Sequence, residues 1–203
     1  MSKKRDLKKF VATAMLASLA GVLMSLEISI PFMPPFYKLD FSDVPSIIAL
    51  FAFGPASGAA VEVVKILIKL VTVGTNTAYV GELANLIGIV LFIVPLWLVF
   101  RGMKYTRKGA KVALVTSVPI RVAFSCLVNA FITLPLYAKA MSMPLDTVVQ
   151  MVARVNPGIT NLTTFIILAT IPFNLIKNTL NCIIGYALFE ALSTTHVFER
   201  RFN

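Results

Sequence analysis

Charge is scarce in this chain. Aspartate, glutamate, lysine and arginine make up 14% of its 203 residues, where a soluble domain typically carries about a quarter. That shortage excludes an ordinary water-soluble enzyme. Histidine occurs once, as His196, and no cluster of His, Cys, Asp and Glu has metal-ligand spacing, so no metal site is legible. The two cysteines, Cys126 and Cys182, sit in separate apolar runs with no CxxC pattern. They read as small apolar side chains. The chain lacks a GxxxxGK[ST] phosphate loop, which excludes ATP binding of that kind. No nucleophile–base pair can be picked out either, and an enzyme is disfavoured.

What the chain has in abundance is hydrophobic surface: 58% of residues are hydrophobic and the mean hydropathy is +0.85. A bilayer-spanning helix takes ~20 apolar residues, so six would use roughly 120 and leave short loops. The sequence therefore predicts an all-α integral membrane protein forming one transmembrane domain over 1–203. Its helices are expected near 9–30, 43–60, 59–74, 81–101, 110–138 and 161–193. The first run is longer than a signal-peptide core and is read as a retained helix. Gly54-Pro55 and Gly58 mark a tight turn between the second and third.

The net charge of +10 does not indicate nucleic acid, because the basic residues gather at the ends of apolar runs. Lys3, Lys4, Arg5, Lys8 and Lys9 precede the first run. Arg101, Lys104, Arg107, Lys108 and Lys111 fill the fourth connection, and Arg200 and Arg201 close the chain. With six spans all three clusters fall on one side, which the positive-inside rule assigns to the cytoplasm together with both termini. The opposite side receives Lys38, Lys139 and Arg154, and three loops (31–43, 74–82 and 138–161) rich in Pro, Gly, Thr or Asn. An outward-facing pocket follows as a hypothesis.

A charged side chain within a span costs roughly 2.5–3.5 kcal/mol on insertion scales, so each needs a reason. Glu62, Lys65 and Lys69 share one helical face and read as an ion pair near the membrane surface. Glu27 and Glu190 fall near helix ends, where solvation is expected. Arg121 either reaches the cytoplasm or pairs with an acid. Asn174 and Lys177 lie one turn apart behind Pro172, and Asn174 sits roughly 20 Å along the last helix from Asn161. Asn129 reaches comparable depth on the fifth. Two readings stay open: interhelical hydrogen bonds by the amides, or two amides and an ammonium converging on a polar, planar ligand. Glu82, next to Leu83 at the start of the fourth helix, either accepts hydroxyl hydrogen bonds or complements the helix dipole.

The segments PPFYKLDFSDVP (34–45), FAFGPASGA (51–59), GELAN (81–85), NAFITLPLYAK (129–139), NPGIT (156–160) and PFNLIK (172–177) together resemble the riboflavin-binding S components of energy-coupling factor (ECF) transporters. The resemblance runs from the first helix to the last. It implies a six-helix vitamin-binding subunit at the cell membrane with no cofactor of its own. ATP would be bound by two cytoplasmic ATPases, joined through a transmembrane coupling subunit. It implies flavin contacts from Asn129, Asn174 and Lys177, and ribityl contacts from Glu82 and Leu83. Lys38 and Asp40 belong to a loop closing over the site, with Phe36, Tyr37, Phe41 and Phe165 as candidate aromatic lining. Docking to the coupling subunit would fall on Thr13, Ala17 and Gly21, with Ala14 and Ser18 beside them. The rival ligand is another vitamin, pantothenate above all. A rival from another class is a stand-alone proton-coupled carrier using Glu62 or Glu82.

Overall fold

The computed structural model describes residues 3–31, 33–34, 36–75, 77–154 and 156–193. His196, Arg200 and Arg201 lie outside the described residues. Seven helices follow in order: α1 (Lys3–Ser25), α2 (Asp43–Phe53), α3 (Pro55–Thr72), α4 (Val80–Gly102), α5 (Arg107–Ala140), α6 (Leu145–Ala153) and α7 (Leu162–Leu192). A two-residue antiparallel pair, β1 (Ile28–Ser29) with β2 (Lys38–Leu39), closes a strap between α1 and α2.

Several boundaries move from the sequence reading for identifiable reasons. The first helix ends at Ser25, not near 30, because the chain turns into β1. The second ends at Phe53 and not near 60: Gly54 adopts φ +97°, closed to most side chains, and Pro55 opens α3 where its missing N–H is no loss. The link over 138–161 contains a helix of its own, α6, which buries Val148, Val149 and Val152. That spacing, i, i+1 and i+4, marks one helical face.

Among the described residues, four helices are long and apolar enough to cross a membrane: α1 over Asp6–Ser25, α4, α5 and α7. Their outward faces carry exposed apolar side chains such as Phe10, Val90, Val115, Phe131 and Ile183. In water such a surface is unfavourable, and against lipid it is not. The six spans expected from composition reduce to four by length because α2 has only eleven residues, about 16 Å of rise, and α3 carries Glu62, Lys65 and Lys69. α2 is instead the centre of the molecule. Ile47, Ala49, Leu50 and Phe51 are at most 1% exposed, packed among α1, α3 and α7. Phe51 meets Phe100 at 4.8 Å and Phe189 at 5.3 Å.

The small residues of α1 serve this core. Ala17 and Gly21 are buried, and a Cβ on Gly21 would lie 2.6 Å from the Ile68 side chain on α3. Thr13 is half-buried and its hydroxyl donates to the Lys9 carbonyl. The stripe expected to dock a partner thus lets α1 and α3 approach closely, while Ala14 and Ser18 face outward.

Two π-turns interrupt the long helices: Asn129–Thr133 in α5 and Ile166–Thr170 in α7. Each comes just before a proline, Pro135 or Pro172. A proline donates no hydrogen bond and crowds the carbonyl four residues back, which a widened turn relieves. Pro95 and Pro119 lie within helices without such a turn, so proline permits the π-turn and does not compel it. The turns fall where α5, α7 and the strap meet.

Candidate ligand-binding cavity

A cavity of about 440 Å³ lies between the strap, α4, α5 and α7. That volume suits a small organic molecule. The strap contributes Phe36, Tyr37, Lys38 and Asp40; α4 contributes Gly81, Ala84, Asn85 and Gly88; α5 contributes Arg121, Ser125, Asn129 and Tyr137; α7 contributes Phe173, Asn174, Lys177 and Asn178. The residues expected from sequence to meet, Asn129, Asn174, Lys177, Lys38 and Asp40, all line this one space. Leu83 does not: it is 42% exposed and points away. Among the four candidate aromatics Phe36 and Tyr37 line the cavity, whereas Phe165 is buried behind it and Phe41 packs on the central core.

Several of the polar side chains are held by the chain itself. The Tyr37 hydroxyl donates to Asn129 Oδ1 at 2.9 Å and lies 2.8 Å from Thr170 Oγ1. Asn129 Nδ2 donates to the Ser125 carbonyl at 2.8 Å, and Asn174 Nδ2 to the Thr170 carbonyl at 2.9 Å. Lys177 Nζ donates to Asp40 Oδ2 at 2.6 Å. Asn181 Nδ2 donates to the Asp40 carbonyl at 3.0 Å. Asn174, Lys177, Asn178 and Asn181 recur at spacings of three and four, so one face of α7 supplies them all. Asn178 Nδ2 is buried with no partner among the described residues. An unfilled buried donor beside a cavity is what a ligand acceptor would satisfy.

Behind the cavity sits a balanced set of charges. Arg121 Nη1 donates to Asp43 Oδ2 at 2.7 Å, and Lys65 pairs with the other Asp43 oxygen and, at 2.8 Å, with Glu62. The expected Glu62–Lys65 ion pair forms, and Lys65, 2% exposed, is buried within the protein. Arg121 pairs with an acid, the second of its two expected fates, and its guanidinium also lies 4.3 Å from the Phe92 ring. Asp43 was missed because one carboxylate at the start of a helix ordinarily signals only a dipole contact.

The strap end repeats the pattern. Glu27 is not left to solvent: it pairs with Lys38 at 2.6 Å and Lys69 at 2.9 Å. Burial works against its ionised form, and the hydrogen bonds from Lys38 and Lys69 outweigh this, holding its carboxyl below the usual range. Burial likewise opposes ionisation of Asp40, and the Lys177 ammonium prevails, so that carboxyl too is lowered. Glu82 accepts from Lys69 (3.3 Å), Thr75 (3.0 Å) and Thr77 (3.3 Å). It stands just behind the cavity wall that Gly81 and Ala84 form. The Gly81 N–H, at the start of α4, donates to Thr77 Oγ1.

The family described as "ECF transporter, substrate-specific component" matches residues 8–189. The chain belongs to that family. This S component is 32% identical to the "Riboflavin transporter FmnP" of Bacillus subtilis (strain 168), over 91% of its own length and 92% of the relative's. It is 31% identical to the "Riboflavin transporter RibU" of Staphylococcus aureus (strain TCH60), over 92% and 90% of the two chains. A solved structure of the S component of a bacterial ECF transporter superposes with a TM-score of 0.71 at 28% identity, covering 93% of this chain and 96% of that one. Its relatives are transporter components, and this S component is a helical membrane protein, not an enzyme.

Proposed function

We propose that this S component captures riboflavin outside the cell and releases it inward, with energy from partner ATPases. The observation that carries the reading is a trio among the hydrogen-bonding groups left over in the cavity. Asn129 has one amide hydrogen free after bonding the Ser125 carbonyl, and Lys177 has two free after bonding Asp40. Asn174 uses its amide nitrogen on Thr170 and keeps its carbonyl oxygen free. Donor, acceptor and donor are the complement of an imide edge, which presents carbonyl, N–H and carbonyl. Riboflavin's pyrimidine ring has that edge; pantothenate, an acyclic acid, does not. The surrounding charges also favour an uncharged ligand: Lys38, Lys65, Lys69, Arg121 and Lys177 are matched by Glu27, Asp40, Asp43, Glu62 and Glu82. Ribityl hydroxyls would lie toward Lys38, Gly81 and the Glu82 side of the wall.

In this reading six helices, α1 to α5 and α7, cross the cell membrane with both termini cytoplasmic, so that 1–203 forms one substrate-binding unit. The basic connection Arg101–Lys111 supports that orientation. A transmembrane coupling subunit and two cytoplasmic ATPases complete the transporter, since no phosphate loop exists here. The coupling contact falls to the outward edge of α1, at Ala14 and Ser18, because Ala17 and Gly21 are occupied by α3. Uptake of labelled riboflavin by cells expressing this chain, with and without a coupling subunit and its ATPases, tests the proposal. Uptake that requires all components, dies with ATP depletion and survives a protonophore at constant ATP supports it. Uptake by this chain alone, abolished by the protonophore, overturns it in favour of a proton-coupled carrier.

A further inference from the structure

We propose that the strap sets ligand specificity without touching the ligand's polar edge, with Tyr37 orienting the Asn129 amide and Asp40 aiming the Lys177 ammonium. The inference rests on the riboflavin reading of the site and adds two positioning residues to it.

An asparagine amide has two faces that differ only in which atom donates, so a ligand edge is read correctly only when something fixes the flip. Asn129 sits at the first position of a π-turn on α5, a place where the regular ladder gives little help. The Tyr37 hydroxyl supplies the constraint. It bridges Asn129 Oδ1 and Thr170 Oγ1, and by donating to Oδ1 it holds that oxygen in place once the Ser125 carbonyl, which can only accept, has claimed the amide nitrogen. Tyr37 itself cannot swing away, because its ring stacks on Phe173 at 4.6 Å and 12° and is 7% exposed.

Asp40 does the corresponding work on α7. Lys177 has a long flexible stem and a point charge that accepts many geometries. Asp40 Oδ2 holds one of its three hydrogens at 2.6 Å, and Asp40 is held in turn. Its Oδ1 accepts from the Ser42 backbone N–H and hydroxyl, and its own carbonyl accepts from Asn181. Tyr37 and Asp40 lie three residues apart on one strap, yet they govern groups on two helices. The strap thereby fixes the relation between Asn129 and Lys177, the two donors of the proposed imide-reading set.

The experiment is a pair of double-mutant cycles on the purified full chain, read by quenching of riboflavin fluorescence. Tyr37→Phe keeps the ring and its stack on Phe173, and Asp40→Asn keeps the volume. Each single variant is expected to weaken riboflavin binding by about tenfold. Tyr37→Phe should cost little more once Asn129→Ala is present, yet its full loss in a Lys177→Met background. Asp40→Asn should show the reverse pattern, and Asp40→Glu, which retains a carboxylate for Lys177, should restore most of the affinity. Losses that add in full in every background would mean that the strap is merely a wall, and would overturn the inference. So would single variants that bind as tightly as the parent. If Asp40→Asn yields no folded protein, the Tyr37 cycle decides alone. If Asn129→Ala and Lys177→Met themselves bind riboflavin unchanged, the site reading beneath this inference fails, and the inference with it.

Discussion

Arg121 on α5 reaches Asp43 at the first turn of α2, 2.7 Å from guanidinium to carboxylate, and Lys65 on α3 holds the other oxygen of the same acid. One buried carboxylate therefore ties three helices together beneath the cavity. Removing one member of such a set leaves the others buried and uncompensated, which typically costs about 3–5 kcal/mol. Asp43→Ala should lower the thermal unfolding midpoint of the detergent-purified chain well below that of the parent. An unchanged midpoint would contradict the role of Asp43 as the shared partner of Arg121 and Lys65.

Asn174 and Lys177, which line the cavity, should behave differently, and their removal should change affinity first of all. Asn174→Ala and Lys177→Met are each expected to weaken riboflavin binding by one to two orders of magnitude, about 1.4–2.8 kcal/mol. Lys177→Met also leaves the buried Asp40 carboxylate without its ammonium, so its midpoint should fall well below that of Asn174→Ala. Titration of riboflavin fluorescence gives the affinities, and unchanged binding in both variants would remove them from the site.

Packing of α1 on α3 makes a prediction of another kind. Gly21→Val would drive a side chain into Ile68, where even a Cβ comes within 2.6 Å, and overpacking of this sort costs about 1–3 kcal/mol. Ser18→Val, on the exposed edge of the same helix, should leave stability as it is but weaken assembly with a coupling subunit. Thermal melts and co-purification separate the two effects. Equal destabilisation by both substitutions would contradict the placement of these faces.

Acid should loosen the strap. The Glu27 carboxyl is lowered because the hydrogen bonds from Lys38 and Lys69 outweigh its burial. A group whose folded-state pKa lies below its unfolded value contributes stability above the unfolded value and loses it as pH falls through the folded one. The melting midpoint should therefore drop on acidification below the ordinary carboxylate range, and Glu27→Gln should flatten that part of the dependence while starting lower at neutral pH. Parallel curves for parent and variant would show that Glu27 contributes nothing to it.

Much of the site was legible because polar residues in an apolar background stand out. Asn129, Asn174 and Lys177 announce themselves by depth and helical spacing, and they do share one cavity. What the sequence hid was pairing at a distance. Asp40 and Lys177 are 137 residues apart, and Asp43 and Arg121 are 78 apart, and no periodicity connects such positions. The Thr13, Ala17 and Gly21 stripe was ambiguous for a different reason: small residues permit close approach of any helix, and the partner here is α3 of the same chain. The short buried α2 likewise escapes a length criterion, since eleven apolar residues suit a core as well as part of a span.

The most direct test of the account is a titration of riboflavin with the purified chain, followed by the loss of flavin fluorescence and repeated with 3-methylriboflavin. The account predicts saturable quenching by one flavin per chain, and binding of the 3-methyl compound weakened by at least tenfold, because the methyl group removes the N–H that the Asn174 carbonyl would accept. Equal binding of the two flavins would contradict the imide-reading arrangement, and no quenching by either would contradict riboflavin as the ligand.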